Sequence, residues 1–204
     1  MSRHHLGTLA LTVTLLLGLG PAHGGPAVGA PAPEFTATDS QGKTHSLADF
    51  RGSIVVLEWT NHECPFVQKH YESDNMQALQ KAMTERGVVW LSVISSAPGR
   101  QGYVTPDQAN RLTETRNADP TAVLLDPTGE ISQRYEAKVT PHMFVIDTDG
   151  TLAYMGGIDD RPTTRLNDIP GARNYVRQAI NELVAGQAVS RAVTRPYGCS
   201  IKNS

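Results

Sequence analysis

The sequence predicts a three-layer α/β sandwich built around a mixed β-sheet. Two continuous β-branched and apolar runs, Ile54–Trp59 and Val88–Ile94, suit strands covered on both faces. Segments with helical spacing and clear end signals alternate with them. The last two expected strands are joined by a tight turn, so parallel crossovers give way to an antiparallel hairpin.

Each element has its own local reason. "APAPEF", Ala30–Phe35, is a proline-rich lead-in, and Phe35–Thr38 with Lys43–Leu47 forms an N-terminal β-hairpin around the turn residues Asp39–Gly42. Pro65 suits the first position of a helix, where its missing N–H is not needed. Ser73–Asn75 offers a kink or a new N-cap, after which Met76, Leu79 and Met83 recur at helical spacing up to Gly87. Ser95–Tyr103 is a polar loop. Thr105, Pro106 and Gln108 then spell a capped helix start. Ala122–Leu125 is a short strand, Ile131–Tyr135 a short helix, and Met143–Ile146 with Thr151–Met155 a hairpin around Asp147–Gly150. Asn174–Ala185 closes the order as a helix with Val176, Ile180, Leu183 and Val184 on one face.

At 204 residues the chain holds one well-buried domain rather than two. Charged residues make up 19% and the formal net charge is −2, which leaves no electrostatic footprint for nucleic acid. Arg3, His4 and His5 start a segment that runs through the apolar stretch Leu6–Gly20 to a small-residue region. That pattern reads as a signal peptide over residues 1–22, with Ala22, Ala27 and Ala30 as alternative cleavage points. The apolar run is short for a membrane span of about 20 residues. The expectation is an exported protein, periplasmic or secreted, with no membrane attachment after cleavage. Its domain would cover residues 30–186, and residues 187–204 would form a C-terminal tail.

The chain has two cysteines, Cys64 and Cys199. In an oxidising compartment that number suggests one disulfide or a redox pair. A bridge would close a loop of about 135 residues, which the chain-entropy model values at roughly 5 kcal/mol. The local setting of Cys64 adds chemistry. A strand ending near Trp59 and a helix starting at Pro65 put this thiol at a helix N-terminus, on the carboxyl edge of a central strand. Free N–H groups and the helix dipole favour the nucleophilic thiolate there. Glu63 opposes this by like-charge repulsion.

The strand, Trp59, a few polar residues, Cys64-Pro65 at a helix start and a later Thr140-Pro141 together resemble the thioredoxin superfamily. The early hairpin and the "APAPEF" lead-in are similar to its peroxiredoxin-like branch, the alkyl hydroperoxide reductase/thiol-specific antioxidant or redoxin group. The resemblance covers roughly residues 30–186 and implies a thioredoxin-like fold with thiol–disulfide or antioxidant activity. It implies Cys64 as nucleophile, Pro141 as a cis proline facing it, and Glu58 as a buried acid that moves protons between sulfurs. Thr140, through its backbone, with Trp59 and Phe66, would contact the substrate. Val67 stands where thioredoxins carry their second cysteine, so Cys199 is the internal candidate for resolving a mixed disulfide. The positions where peroxiredoxins carry threonine and proline hold Asn61 and Leu57. Expected partners are a thiol or disulfide protein, or a small thiol or peroxide, and no cofactor is implied.

Two other readings use the same residues. Cys64 with His62 and His142 would suit copper(I), a soft ion that takes thiolate and imidazole. Alternatively, a Cys64–Cys199 disulfide would only staple a non-catalytic binding module. His70 is expected on the helix surface, away from either site.

Overall fold

A computed structural model describes Met1 and residues 25–203. The expected signal peptide lies outside the described residues. The first elements are β1 (Thr36–Thr38) and β2 (Thr44–Ser46), paired antiparallel with Ala37 opposite His45. They form a separate two-stranded sheet, clamped by a 2.8 Å contact between Asp39 and His45. Next come β3 (Val55–Trp59), α1 (Pro65–Glu72), α2 (Asn75–Thr84) and β4 (Val89–Ile94). Then follow α3 (Pro106–Thr115), β5 (Ala122–Leu125), α4 (Glu130–Arg134), β6 (Val139–Thr140), β7 (His142–Ile146) and β8 (Leu152–Gly156). The chain closes with α5 (Tyr175–Val184) and β9 (Cys199–Ser200).

The central sheet has the order β5-β4-β3-β7-β8. The β3–β4 and β4–β5 pairs are parallel, whereas β3–β7 and β7–β8 are antiparallel. This is the mixed sheet that the sequence predicts. Because side chains alternate along a strand, β3 divides its residues between two cores. Val56 faces α1, α2 and α5, where Val67, Met76, Leu79, Val176 and Ile180 pack. Val55, Leu57 and Trp59 face the opposite layer, where Phe35, Leu47, Ile131 and Tyr135 pack. Both faces of β3 are buried, which accounts for its run of apolar residues, interrupted by Glu58.

Local signals set the helix ends. Thr105 and Gln108 form the reciprocal capping box expected for α3, and the Asn174 side chain accepts from the Arg177 N–H at the start of α5. Two details differ from the sequence reading. Asp74 begins α2 in a left-handed conformation without a side-chain cap. On α5, Val184 faces solvent, and Ala179 takes the buried position beside Val176 and Ile180.

The tail is part of the sheet system. The Met155 N–H donates to the Ala192 carbonyl, and the Thr194 N–H donates back to Met155, so the tail runs along the outer strand β8. It then crosses the end of the sheet, where β9 pairs antiparallel with β6, placing Cys199 opposite Thr140. Beyond that, the Ile201 N–H donates to Lys138, and the Ala97 N–H donates to Lys202. The tail is thus a strap held on both flanks of Cys199.

Candidate active site

The turn that presents Cys64 is built by Asn61. Its side-chain oxygen accepts from the Glu63 N–H at 2.9 Å, and its carbonyl accepts from the Cys64 N–H at 3.1 Å. Cys64 is the N-cap residue of α1, with Pro65 at the first helical position. Its carbonyl accepts from the Val67 and Gln68 N–H groups. Three elements therefore meet at this sulfur: the end of β3, the start of α1 and the strap.

Cys64 Sγ lies 2.7 Å from Cys199 Sγ and 3.1 Å from the Thr140 carbonyl oxygen. Both cysteines are free thiols here; Cys64 is fully buried and Cys199 half-buried. The Thr140–Pro141 peptide beside the sulfur pair is cis. Gly198 has φ +140°, and a Cβ there would overlap the Thr140 carbonyl. A glycine before Cys199 is therefore what lets β9 approach β6 this closely.

Electrostatics separates the two thiols. Burial pushes the Cys64 thiol up, but contacts with Cys199, with the Thr140 side chain and with backbone N–H groups outweigh it, and the net shift is downward. The Thr140 hydroxyl is buried and has no hydrogen-bond partner in the structure, which leaves it available to a thiolate at Cys64. Cys199 moves the other way, raised by burial and by the adjacent Cys64 sulfur.

Glu58 is fully buried on the same face of β3 as Val56. Its oxygens accept from Tyr71 Oη at 2.8 Å, Trp90 Nε1 at 2.8 Å, Gln80 Nε2 at 3.0 Å and Ser92 Oγ at 3.1 Å. Burial raises its pKa against the opposing effect of these donors. None of the four donors is a thiol or a cation. Phe66 packs edge-on against Tyr197 of the strap, with ring centroids 5.9 Å apart. The Thr140 backbone, expected to pair with an extended substrate, pairs with the chain's own β9.

Two expectations are corrected. Trp59 was assigned to substrate contact, yet it is fully buried in the layer opposite Cys64. It packs on Tyr135 and Phe144 and donates from Nε1 to Ser95 Oγ at 3.0 Å. Its position at the end of β3 sends its side chain to the Leu57 face, away from the thiol. His70 was expected on the helix surface, yet it is fully buried. Val67, His70 and Tyr71 share the inward stripe of α1, and that spacing was visible in the sequence.

His70 belongs to a polar cluster that sequence reasoning missed. Asn75 Nδ2 lies 2.8 Å from His70 Nδ1, which leaves Nε2 to donate to Tyr197 Oη at 3.2 Å. Tyr197 in turn donates to Asp159 Oδ1 at 2.5 Å. Lys69 Nζ, equally buried, donates to the Arg161 carbonyl at 2.7 Å and lies 3.8 Å from Asp159 Oδ2. Burial and the neighbouring Lys69 hold the His70 pKa down at about 3, so its ring is neutral. These groups lock Tyr197, two residues before Cys199, against the back of α1.

Among the described residues, no group of three or more His, Cys, Asp or Glu side chains is arranged to hold a metal ion, so Cys64, His62 and His142 are not gathered into one. His142 is buried, with its Nδ1 facing the Lys138 N–H at 3.3 Å and its ring against Phe144. Among those residues no helix is long and apolar enough to cross a membrane.

The model of the AhpC/TSA family matches residues 28–155. The chain belongs to that family. It is 32% identical over 119 residues to a thiol-disulfide oxidoreductase ResA of Geobacillus kaustophilus, a match covering 52% of this chain and 68% of the relative. A solved structure of an uncharacterized conserved protein from Geobacillus kaustophilus aligns with a TM-score of 0.73 at 26% identity, covering 86% of this chain and 92% of that one. A hypothetical protein from Sinorhizobium meliloti aligns with a TM-score of 0.74 at 22% identity, covering 89% and 97%. The fold is the thioredoxin-like α/β fold.

Proposed function

We propose that this AhpC/TSA family member is an exported thiol–disulfide oxidoreductase that cycles Cys64 and Cys199 between dithiol and disulfide. The observation that carries the reading is the 2.7 Å separation of the two sulfurs at the N-terminus of α1. Thiols this close convert to a disulfide with a small displacement, and the lowered Cys64 pKa supplies a thiolate for closing the bridge. The relative named thiol-disulfide oxidoreductase supports the same reaction class. Export rests on the leader pattern in residues 1–22 and on a cysteine pair suited to an oxidising compartment. Peroxide reduction has less support, since Asn61 and Leu57 replace the threonine and proline of the peroxiredoxin pattern.

The test is a redox titration of the full chain in glutathione buffers, followed by reduction of a protein disulfide such as insulin. The pair is expected to titrate as one two-electron couple. Cys64→Ser is expected to lower the reduction rate by about 100-fold or more. A pair that stays reduced in oxidised glutathione, or a Cys64→Ser variant as active as the parent, overturns the reading. A disulfide that forms but never exchanges with substrate would instead make the bridge a staple.

A further inference from the structure

We propose that external thiols join the chain at Cys199 and not at Cys64, so that every mixed disulfide with a partner is carried by the strap. This deepens the redox-pair reading and rests on it. It inverts the order expected from the sequence, in which Cys64 meets the substrate and Cys199 resolves.

Access is the first argument. Cys64 has 0% exposure and belongs to the core cluster of Val67, Tyr71 and Met143, whereas Cys199 is half-buried at its edge. Direction is the second. Exchange at sulfur requires the attacking, central and leaving sulfurs to lie nearly in line. Attack on Cys64 with Cys199 leaving needs a path to the side of Cys64 turned away from Cys199, and Cys64 is fully buried. Attack on Cys199 with Cys64 leaving needs access only to the half-buried sulfur of the strap.

The strap does not need to swing aside for this. Tyr197 is tied to Asp159 and His70 on one flank of Cys199, and Ile201 and Lys202 are bonded to Lys138 and Ala97 on the other. Beside it opens a recess of about 580 Å³ whose wall includes Val139, Tyr175, Pro196, Tyr197 and Gly198. The recess reaches Gly198, the residue before Cys199, without including either sulfur in its lining.

The chemistry balances with an external dithiol as co-reactant. Its first thiolate attacks Cys199 Sγ, the Cys64–Cys199 bond breaks, and the electron pair leaves on Cys64 as a thiolate. The second thiolate of the donor attacks the donor's own bonded sulfur, and Cys199 departs with the electron pair and takes up a proton. Two electrons have entered the cysteine pair, and the donor has become a disulfide. In reverse, the Cys64 thiolate attacks Cys199 in the mixed disulfide and expels the partner's sulfur.

The experiment uses the full chain, oxidised and then exposed briefly to reduced glutathione, a monothiol that cannot carry out the second attack. Acid quenching, alkylation with N-ethylmaleimide and peptide mapping locate each group. Glutathione on Cys199 with N-ethylmaleimide on Cys64, in excess over the reverse by about tenfold or more, is the expected result. Glutathione mainly on Cys64 overturns the proposal. In a second arm, single-cysteine variants meet glutathione disulfide with and without urea. Cys64→Ser is expected to load at Cys199 in the native state, and Cys199→Ser to load at Cys64 appreciably only when unfolded. Native loading of Cys199→Ser at its unfolded rate also overturns it. If no disulfide forms in the starting protein, the redox-pair reading itself has failed, and the two failures are told apart before glutathione is added.

Discussion

Glu58 has both carboxylate oxygens enclosed by Tyr71, Trp90, Gln80 and Ser92, with burial holding its pKa above the ordinary value. A raised folded-state pKa means the folded chain keeps this proton to higher pH than the unfolded chain does. The associated stability is complete below the unfolded carboxyl pKa and is lost as pH rises through the folded value. Glu58→Gln keeps the shape and removes the titration. The urea midpoint of the parent is expected to fall across that window, and that of Glu58→Gln to stay flatter; equal slopes would place the titration elsewhere. At the thiol itself, the buried and unpartnered Thr140 hydroxyl is the group to test. Thr140→Val removes a donor to the thiolate and should raise the Cys64 pKa by about 1 unit, read from the pH dependence of iodoacetamide alkylation.

At the scale of elements, the strap is registered by one buried phenol. Tyr197 accepts from His70 and donates to Asp159, and the Lys69 ammonium lies 5.2 Å from its ring centroid. Tyr197→Phe leaves the Asp159 oxygen and the His70 N–H without that partner, at a cost of about 1–3 kcal/mol. Part of that cost falls on the placement of Cys199. The equilibrium constant for forming the Cys64–Cys199 disulfide in glutathione buffer is therefore expected to drop by about tenfold. An unchanged constant would show that the pairing of β6 with β9 suffices. The strands, caps and turns around α3, β5 and the β7–β8 hairpin were legible in sequence because each is encoded within a few residues. The β6–β9 pair was not, because a two-residue ladder between positions far apart in the chain carries no periodicity of its own.

For the molecule as a whole, the sequence pattern carried the mixed sheet, the family and the thiol at the start of α1. It did not carry the direction of side chains at the sheet ends. Trp59 and Glu58 are neighbours in sequence, yet one entered the far core and the other the layer of α1. His70 shows the converse: its apolar-stripe position outweighed its polar character because Asn75 and Tyr197 satisfy both ring nitrogens. The tail lies beyond the stretch that matches the family, so Cys199 was legible as the chain's second cysteine and not through a family motif.

The same tail has a consequence unrelated to sulfur. The central sheet ends in β5 on one side and β8 on the other, and unpaired outer strands invite neighbouring molecules to add on. Residues 192–194 hydrogen-bond along β8, while the Ser40 N–H donates to Val123 on β5. The strap along β8 and the β1–β2 turn against β5 cover part of both rims of the sheet, which opposes edge-to-edge aggregation at high concentration.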